Sequence, residues 1–135
     1  MKKLISILLL FIMLFTFTAC GKGKIADAKI TKVKSEIYTQ KDIDEAISTT
    51  LEYFKENFKG CTLTEISYIG DEKADEFREW QESYKKDEVI ILISSFDVDK
   101  SRGDGSLNPN STYTKWQWIL ARNENQNWEH MDHGY

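Results

Sequence analysis

The sequence lacks the short motifs that most often identify an enzyme or a cofactor-binding protein. It contains no glycine-rich phosphate loop, no nucleophile elbow and no CxxC pair. It has only two cysteines, Cys20 and Cys61, and no internal repeat is visible. No reaction and no specific ligand therefore follows from the sequence alone.

Basic residues are also in the minority. The chain has 18 Lys and Arg against 22 Asp and Glu, a formal net charge of −4 at pH 7. Because nucleic-acid recognition depends on clustered cations that neutralise phosphates, this balance argues against a nucleic-acid partner. The main basic series follows Cys20 and comprises Lys22, Lys24, Lys29, Lys32 and Lys34. These lysines could lie over anionic lipid headgroups or belong to a solvated spacer.

The N-terminal segment has the composition of a secretory signal. Lys2 and Lys3 precede an apolar run over residues 4–17, and small residues then lead to Cys20. The run is shorter than the ~20 residues that cross a bilayer, which disfavours an uncleaved transmembrane helix. The pattern Phe17-Thr18-Ala19-Cys20-Gly21 resembles the lipobox of bacterial lipoproteins. Plain secretion and a transmembrane anchor are the alternatives.

The lipobox resemblance implies transfer of a diacylglyceryl group to Cys20, followed by cleavage before it. A lipid anchor would then hold the protein on the extracytoplasmic face of the cell membrane. We expect a signal peptide over 1–19, a lipidated cysteine and flexible tether over 20–35, and one domain over 36–135. An extended tether of this length reaches roughly 50 Å from the bilayer. With Cys20 lipidated, Cys61 has no disulfide partner and is expected to be a small buried residue.

The remaining sequence alternates between helical and extended patterns. A long first helix is predicted between a cap at Thr39 and a stop at Gly60, because the apolar residues between them recur on one helical face. A second, shorter helix is predicted from a cap at Asp71 to the pair Lys85–Lys86. Strands are predicted over 62–69, 89–96, 113–122 and 128–135, with a polar loop over 99–112.

This order of elements predicts an α+β fold. The long first helix would pack on a bent antiparallel sheet of about four strands, with a second, short helix beside it. The order resembles the cystatin-like fold of the nuclear transport factor 2-like superfamily.

A more specific likeness lies in four segments: Phe96-Asp97-Val98-Asp99, Gly103-Asp104-Gly105-Ser106, Trp116-Gln117-Trp118-Ile119-Leu120 and Asn127-Trp128-Glu129-His130-Met131-Asp132-His133-Gly134-Tyr135. These segments resemble a family of uncharacterised lipoproteins from anaerobic Gram-positive bacteria. The likeness spans about residues 36–135, and the family carries no established activity to transfer.

Aromatic residues are concentrated in the last two predicted strands. The superfamily resemblance implies a cone-shaped domain whose open mouth takes a small apolar ligand, in some relatives with an Asp or His as general base. The candidate ligand-binding residues are Trp116, Trp118, Trp128 and Tyr135, and the candidate bases are Asp132 and His130. The simpler interpretation is that the aromatic side chains form part of the hydrophobic core.

The polar loop that follows the predicted strand 89–96 has the oxygen-rich composition that Ca²⁺ prefers. Asp97, Asp99 and Asp104 are closely spaced at its start. However, Arg102 stands where an EF-hand needs glycine, and Asn108 replaces the bidentate glutamate. A solvated loop is therefore favoured, with a looser cation site as the alternative.

The two histidines are the other candidate metal ligands. His130 and His133 are three residues apart, and strand residues at that spacing point to opposite faces, so they could share one ion only across a bulge. His130 and Asp132 are expected to share a face. We expect no metal and no cofactor.

These observations favour a membrane-anchored, non-enzymatic module that binds a small apolar ligand or another envelope protein. The site is expected between the first helix and the sheet face that bears Trp116, Trp118, His130 and Asp132. The alternative is a small hydrolase or isomerase that uses Asp132 or His130 as general base. A homodimer formed through the sheet face is a third hypothesis. An enclosed cavity with a carboxylate of raised pKa would favour the enzyme, and tryptophans lying flat on an open sheet would favour the dimer.

Overall fold

Over residues 22–101 and 106–135, which the computed structural model describes, the chain forms two helices and a five-stranded sheet. The elements are β1 (Lys29–Thr31), α1 (Gln40–Asn57), β2 (Cys61–Tyr68), α2 (Ala74–Tyr84), β3 (Glu88–Val98), β4 (Thr112–Arg122) and β5 (Glu129–Gly134). A single 3₁₀ turn precedes α2. The predicted signal peptide, Cys20 and Asp104 lie outside the described residues.

The sheet has the order β1-β2-β3-β4-β5. β1 is parallel to β2, and all the other neighbouring pairs are antiparallel. The α+β class is confirmed, but the prediction of about four antiparallel strands is wrong, because β1 adds a parallel fifth strand at the edge. Irregular register between Leu63 and Glu65, and between Ser94 and Phe96, marks the bulges that bend β2 and β3.

Helix α1 begins at the predicted cap. The Thr39 hydroxyl accepts a hydrogen bond from the Asp42 amide at 3.1 Å, and the Asp42 carboxylate accepts one from the Thr39 amide at 3.0 Å. The helix buries the side that carries Ile43, Ala46, Ile47, Thr50 and Phe54. It ends at Asn57, and Gly60 then turns the chain into β2 with φ 80°, a value that glycine adopts without strain.

Strand β3 lies at the centre of the sheet, as its sequence predicts. Its residues Val89, Ile90, Ile91 and Leu92 are all 0% exposed, so both faces of the strand are covered. Helix α2 packs against this strand. Cys61, at the start of β2, is buried as expected.

The segment that precedes α1 is part of the packed domain. The Gly23 amide donates to the Lys55 carbonyl at 3.0 Å, and Lys24 exchanges backbone hydrogen bonds with β2 at 2.9 Å. A Cβ on Gly23 would lie 2.5 Å from the Phe54 carbonyl oxygen, so the close approach to α1 requires glycine. Within the described residues, backbone hydrogen bonds therefore begin at Gly23, earlier than the predicted boundary at residue 36, because this segment and β1 cover the otherwise unpaired edge of β2.

Asp71 has a different role from the predicted helix cap. No side chain caps α2. The Asp71 carboxylate instead accepts hydrogen bonds at 2.7 Å from the Ser35 hydroxyl, the Glu36 amide and the Tyr68 hydroxyl. It therefore holds the chain before α1 against the end of β2.

Arg122 joins the start of α1 to the sheet. Its guanidinium binds the Asp42 carboxylate at 2.9 Å and the Glu88 carboxylate at 2.5 Å, with only 12% of the side chain exposed. It also lies 4.0 Å above the Trp128 ring, and the Trp128 indole N–H donates to the Asp42 carbonyl at 2.9 Å. Burial alone would raise the pKa of Asp42, but the hydrogen bonds from Arg122 and Thr39 lower it.

We expect Arg122→Ala to lower the free energy of unfolding by about 2–3 kcal/mol. This is below the ~3–5 kcal/mol of a fully buried pair, because both carboxylates stay partly solvated. The control is Arg78→Ala, which breaks a pair with Asp75 whose side chains are 70% and 87% exposed, and which should cost less than ~1 kcal/mol. Urea unfolding followed by tryptophan fluorescence measures both values. Equal losses in the two variants would contradict the role of Arg122.

Candidate functional site

A cavity of about 310 Å³ lies between the C-terminal end of α1, the start of β2 and the strands β4 and β5. This volume is at the lower end of the roughly 300–1,000 Å³ found for small-molecule sites. The described residues that line it are Tyr53, Asn57, Phe58, Lys59, Cys61, Ser106, Leu107, Trp116 and His133. The cavity lies between the first helix and the sheet, and of the four residues that defined the expected site (Trp116, Trp118, His130 and Asp132) only Trp116 lines it.

The aromatic wall of the cavity is centred on Phe58, which follows the last residue of α1. Its ring centroid is 5.1 Å from that of Trp118, 5.2 Å from that of His133 and 6.3 Å from that of Trp116. One turn earlier in the helix, Tyr53 stacks on His130 at 3.7 Å with the planes 13° apart. These contacts fix the end of α1 against β4 and β5.

Both histidines face α1. Trp118 pairs with His133 and Leu120 pairs with His130, with a register shift between these two pairs. The shift places one extra residue, Met131, in β5, and residues that pair across strands share a face. The prediction that His130 and His133 point to opposite faces is therefore wrong, because it assumed an unbroken strand.

The two imidazoles are in direct contact. Nε2 of His130 lies 3.1 Å from Nδ1 of His133, so that one ring donates and the other accepts, depending on the tautomers. Burial lowers the pKa of His130, the charge of His133 lowers it further, and Asp132 opposes the shift. His130 is therefore a neutral imidazole at neutral pH.

Asp132 does not join the histidines. It pairs with Ile119, on the opposite face of the sheet from His130, and its carboxylate accepts a hydrogen bond from the His133 amide at 2.8 Å. The expectation that His130 and Asp132 share a face is wrong for the same reason, the extra residue in β5. The two candidate bases are thus separated by the sheet.

The four aromatic candidates have different environments. Trp118 is 0% exposed and its indole N–H donates to the Ser94 hydroxyl at 2.7 Å, and Trp128 is buried beside Arg122. Both are core residues in this structure. Tyr135 is 79% exposed, and its ring lies 5.3 Å from that of Trp116. Of the four, only Trp116 lines the cavity.

The Trp116 indole nitrogen is an exception to the hydrogen-bonding of the interior. Within residues 22–101 and 106–135, its Nε1 is the one buried side-chain nitrogen or oxygen without a hydrogen-bond partner. Burying an unsatisfied donor costs about 1–3 kcal/mol, and such groups in native proteins are most often satisfied by water or a ligand.

The aspartates of the predicted cation site are engaged locally where the structure describes them. Asp97 accepts from the Thr112 hydroxyl at 2.6 Å. Asp99 accepts from the amide and hydroxyl of Ser101, and these hydrogen bonds lower the pKa of Asp99. Asp104 lies outside the described residues. Across the described part of the chain, no group of three or more His, Cys, Asp or Glu side chains is arranged to hold a metal ion.

Of the nine described lining residues, only Trp116 was among the sequence candidates for ligand binding or catalysis. Tyr53 and Asn57 are one helical turn apart and flank the apolar side of α1, where they line the cavity. His133 was considered only as a metal ligand. The i, i+4 spacing of Tyr53 and Asn57 is the signal that could have identified the helix side of the site.

Comparison with protein-family models, curated proteins and solved structures found no match to this chain. Within the described residues, neither helix has the length and apolar character needed to traverse a bilayer. The functional argument therefore depends on the geometry of the cavity and on the sequence.

We expect the domain to lose stability as the pH falls from about 7 to 5. His130 has a lower pKa in the folded chain than the 6.5 of an ordinary histidine, so the unfolded chain binds the proton more readily below that pH. His130→Gln should reduce this slope, whereas Glu129→Gln, a change at the exposed preceding residue, should leave it intact. Thermal unfolding of the three proteins over this pH range measures how the stability of each depends on pH. An unchanged slope in His130→Gln would show that His130 is not its source.

Proposed function

We propose that this protein is a lipid-anchored, extracytoplasmic module that binds a small apolar ligand without catalysis. The sequence pattern that ends at Cys20 supports the anchor, and the aromatic-walled cavity supports the ligand. The cavity is the single observation that carries the binding function. We also infer a distant relationship to the cystatin-like superfamily and the Gram-positive lipoproteins noted above, from which this sheet departs by its parallel β1.

On this proposal the domain lies directly on the membrane surface. Only Gly21 and Lys22 separate Cys20 from Gly23, whose backbone amide is bonded to α1, and this length of chain spans at most ~11 Å. The expected tether of roughly 50 Å is therefore replaced by a short link. Lys22, Lys24 and Lys59 line a cleft of about 230 Å³ at this end of the domain, where they can contact anionic headgroups.

The enzymatic alternative has less support. A general base like those of the cystatin-like superfamily would need an acid–base pair in the cavity. Asp132 and His130 cannot form such a pair, because they lie on opposite faces of the sheet. The homodimer is also less favoured, because Trp118 and Trp128 lie inside the domain rather than on an open face. Binding is the function that the described geometry supports best.

The anchor is tested by labelling with radioactive palmitate in a bacterial host. We expect the full chain to incorporate label, Cys20→Ala to lose it, and Cys61→Ala to retain it, because Cys61 is buried at the start of β2. Cys20→Ala should also move from the membrane fraction. Equal labelling of all three proteins would refute lipidation at Cys20.

The cavity is tested by titrating indole, an uncharged planar probe, into the full chain in detergent micelles and measuring heat. We expect saturable binding with a Kd in the micromolar to millimolar range, as for small apolar ligands. Leu107→Trp should abolish it by filling the cavity that Leu107 lines. The control is Ile37→Trp, a change at a 48%-exposed residue before the start of α1, which leaves the cavity and the micelle background unchanged. Equal heats in both variants would place any binding outside the cavity.

A further inference from the structure

The described walls of the cavity carry a positive charge and no acidic side chain. Of the nine described lining residues, Lys59 brings the positive charge, and the Asn57 amide N–H donates to the Tyr53 carbonyl at 3.0 Å. This composition is unusual in a chain with a formal net charge of −4. It indicates a ligand that carries negative charge.

Lys59 is the cation of the cavity. It is exposed, and among the described residues it forms no ion pair, whereas Glu56 in the last turn of α1 is paired with Lys22 at 3.1 Å. Lys59 also lines the neighbouring cleft, which three lysines and one aspartate border (Lys22, Lys24, Lys59 and Asp99), so positive charge is in excess on this side. The C-terminal end of α1 carries the partial negative charge of the helix dipole, which disfavours an anion here. Selectivity for an anion therefore depends on Lys59 itself.

Trp116 supplies aromatic surface. Its ring lines the cavity, whereas its Nε1 is enclosed by protein atoms, so a ligand in the cavity meets the ring and not the N–H.

The other walls of the cavity indicate the apolar part of the ligand. Tyr53, Phe58, Leu107 and the ring of Trp116 offer flat and aliphatic surface to a planar group, and a volume of about 310 Å³ admits one or two fused rings with a short substituent. We propose that the cavity binds a small ring-bearing carboxylate, with its ring against this wall and its carboxylate beside Lys59. This inference rests on the proposed ligand-binding function and names the class of ligand.

The test compares indole-3-acetate with indole-3-acetamide, which differ in charge but hardly in shape. Heat is measured on titration into the full chain in uncharged micelles at low salt. We expect the carboxylate to bind about fivefold to tenfold more tightly than the amide, and the difference to shrink at high salt, because the lysine is exposed. Equal affinities would overturn the inference and leave the proposed binding function standing. Failure of indole and of both derivatives to bind would overturn the two together.

Two variants separate the roles of the contacts. Lys59→Gln should remove most of the preference for the carboxylate, and Lys41→Gln, at an 84%-exposed lysine in the first turn of α1, should leave it unchanged. Trp116→Phe keeps an aromatic ring in the wall, so it should leave the preference for the carboxylate over the amide unchanged. Persistence of the full preference in Lys59→Gln would contradict the assignment of Lys59. Loss of the preference in Trp116→Phe would contradict it as well.

Discussion

The rest of the structure depends on the docking of α1 on the sheet. Different contacts hold the two ends of this helix in place. At its start, Arg122 binds Asp42 of the helix cap and Glu88 of β3, so that charge-assisted contacts fix the helix to two strands. At its end, Phe54 and Phe58 pack against the aromatic rings of β3 and β4. The cavity adjoins this second end, and its walls are therefore positioned by the contacts that hold the helix in place.

The register shift between β4 and β5 determines the chemistry of the cavity wall. In an unbroken strand, His130 and Asp132 would share a face and His133 would point away. With Met131 as the extra residue, both imidazoles face α1 and the carboxylate of Asp132 faces the other side. A neutral imidazole such as that of His130 costs far less to desolvate among aromatic rings than a charged carboxylate. The shift therefore leaves the wall apolar and free of acid at this point.

The parts of the fold that were predictable depend on local signals. Thr39 and Asp42 form a capping box within four residues, and the aliphatic run of β3 identifies a strand covered on both faces. The parts of the fold that could not be predicted depend on contacts with residues that are distant in the sequence. Lys24 pairs with Thr62 because β2 has an open edge beside it. The residues around Lys24 contain no sequence signal that indicates this edge. The extra residue in β5 carries no glycine or other turn signal, so alternation predicted the wrong face for His133.

The proposed anchor and the cavity lie at the same end of the domain, and this has a consequence for affinity. Gly23 is bound to α1, so an anchored domain cannot swing far from the bilayer, and Lys59 lines both the membrane-side cleft and the cavity. The ring of the proposed carboxylate ligand favours the membrane interface, whereas anionic headgroups repel its carboxylate, so its local concentration rises only where the lipid surface carries little charge. A small cavity offers little contact area and hence modest intrinsic affinity. On the proposed function, placement at an interface of low charge would offset that weakness, because the anchor would supply through local concentration what the cavity cannot supply through contacts.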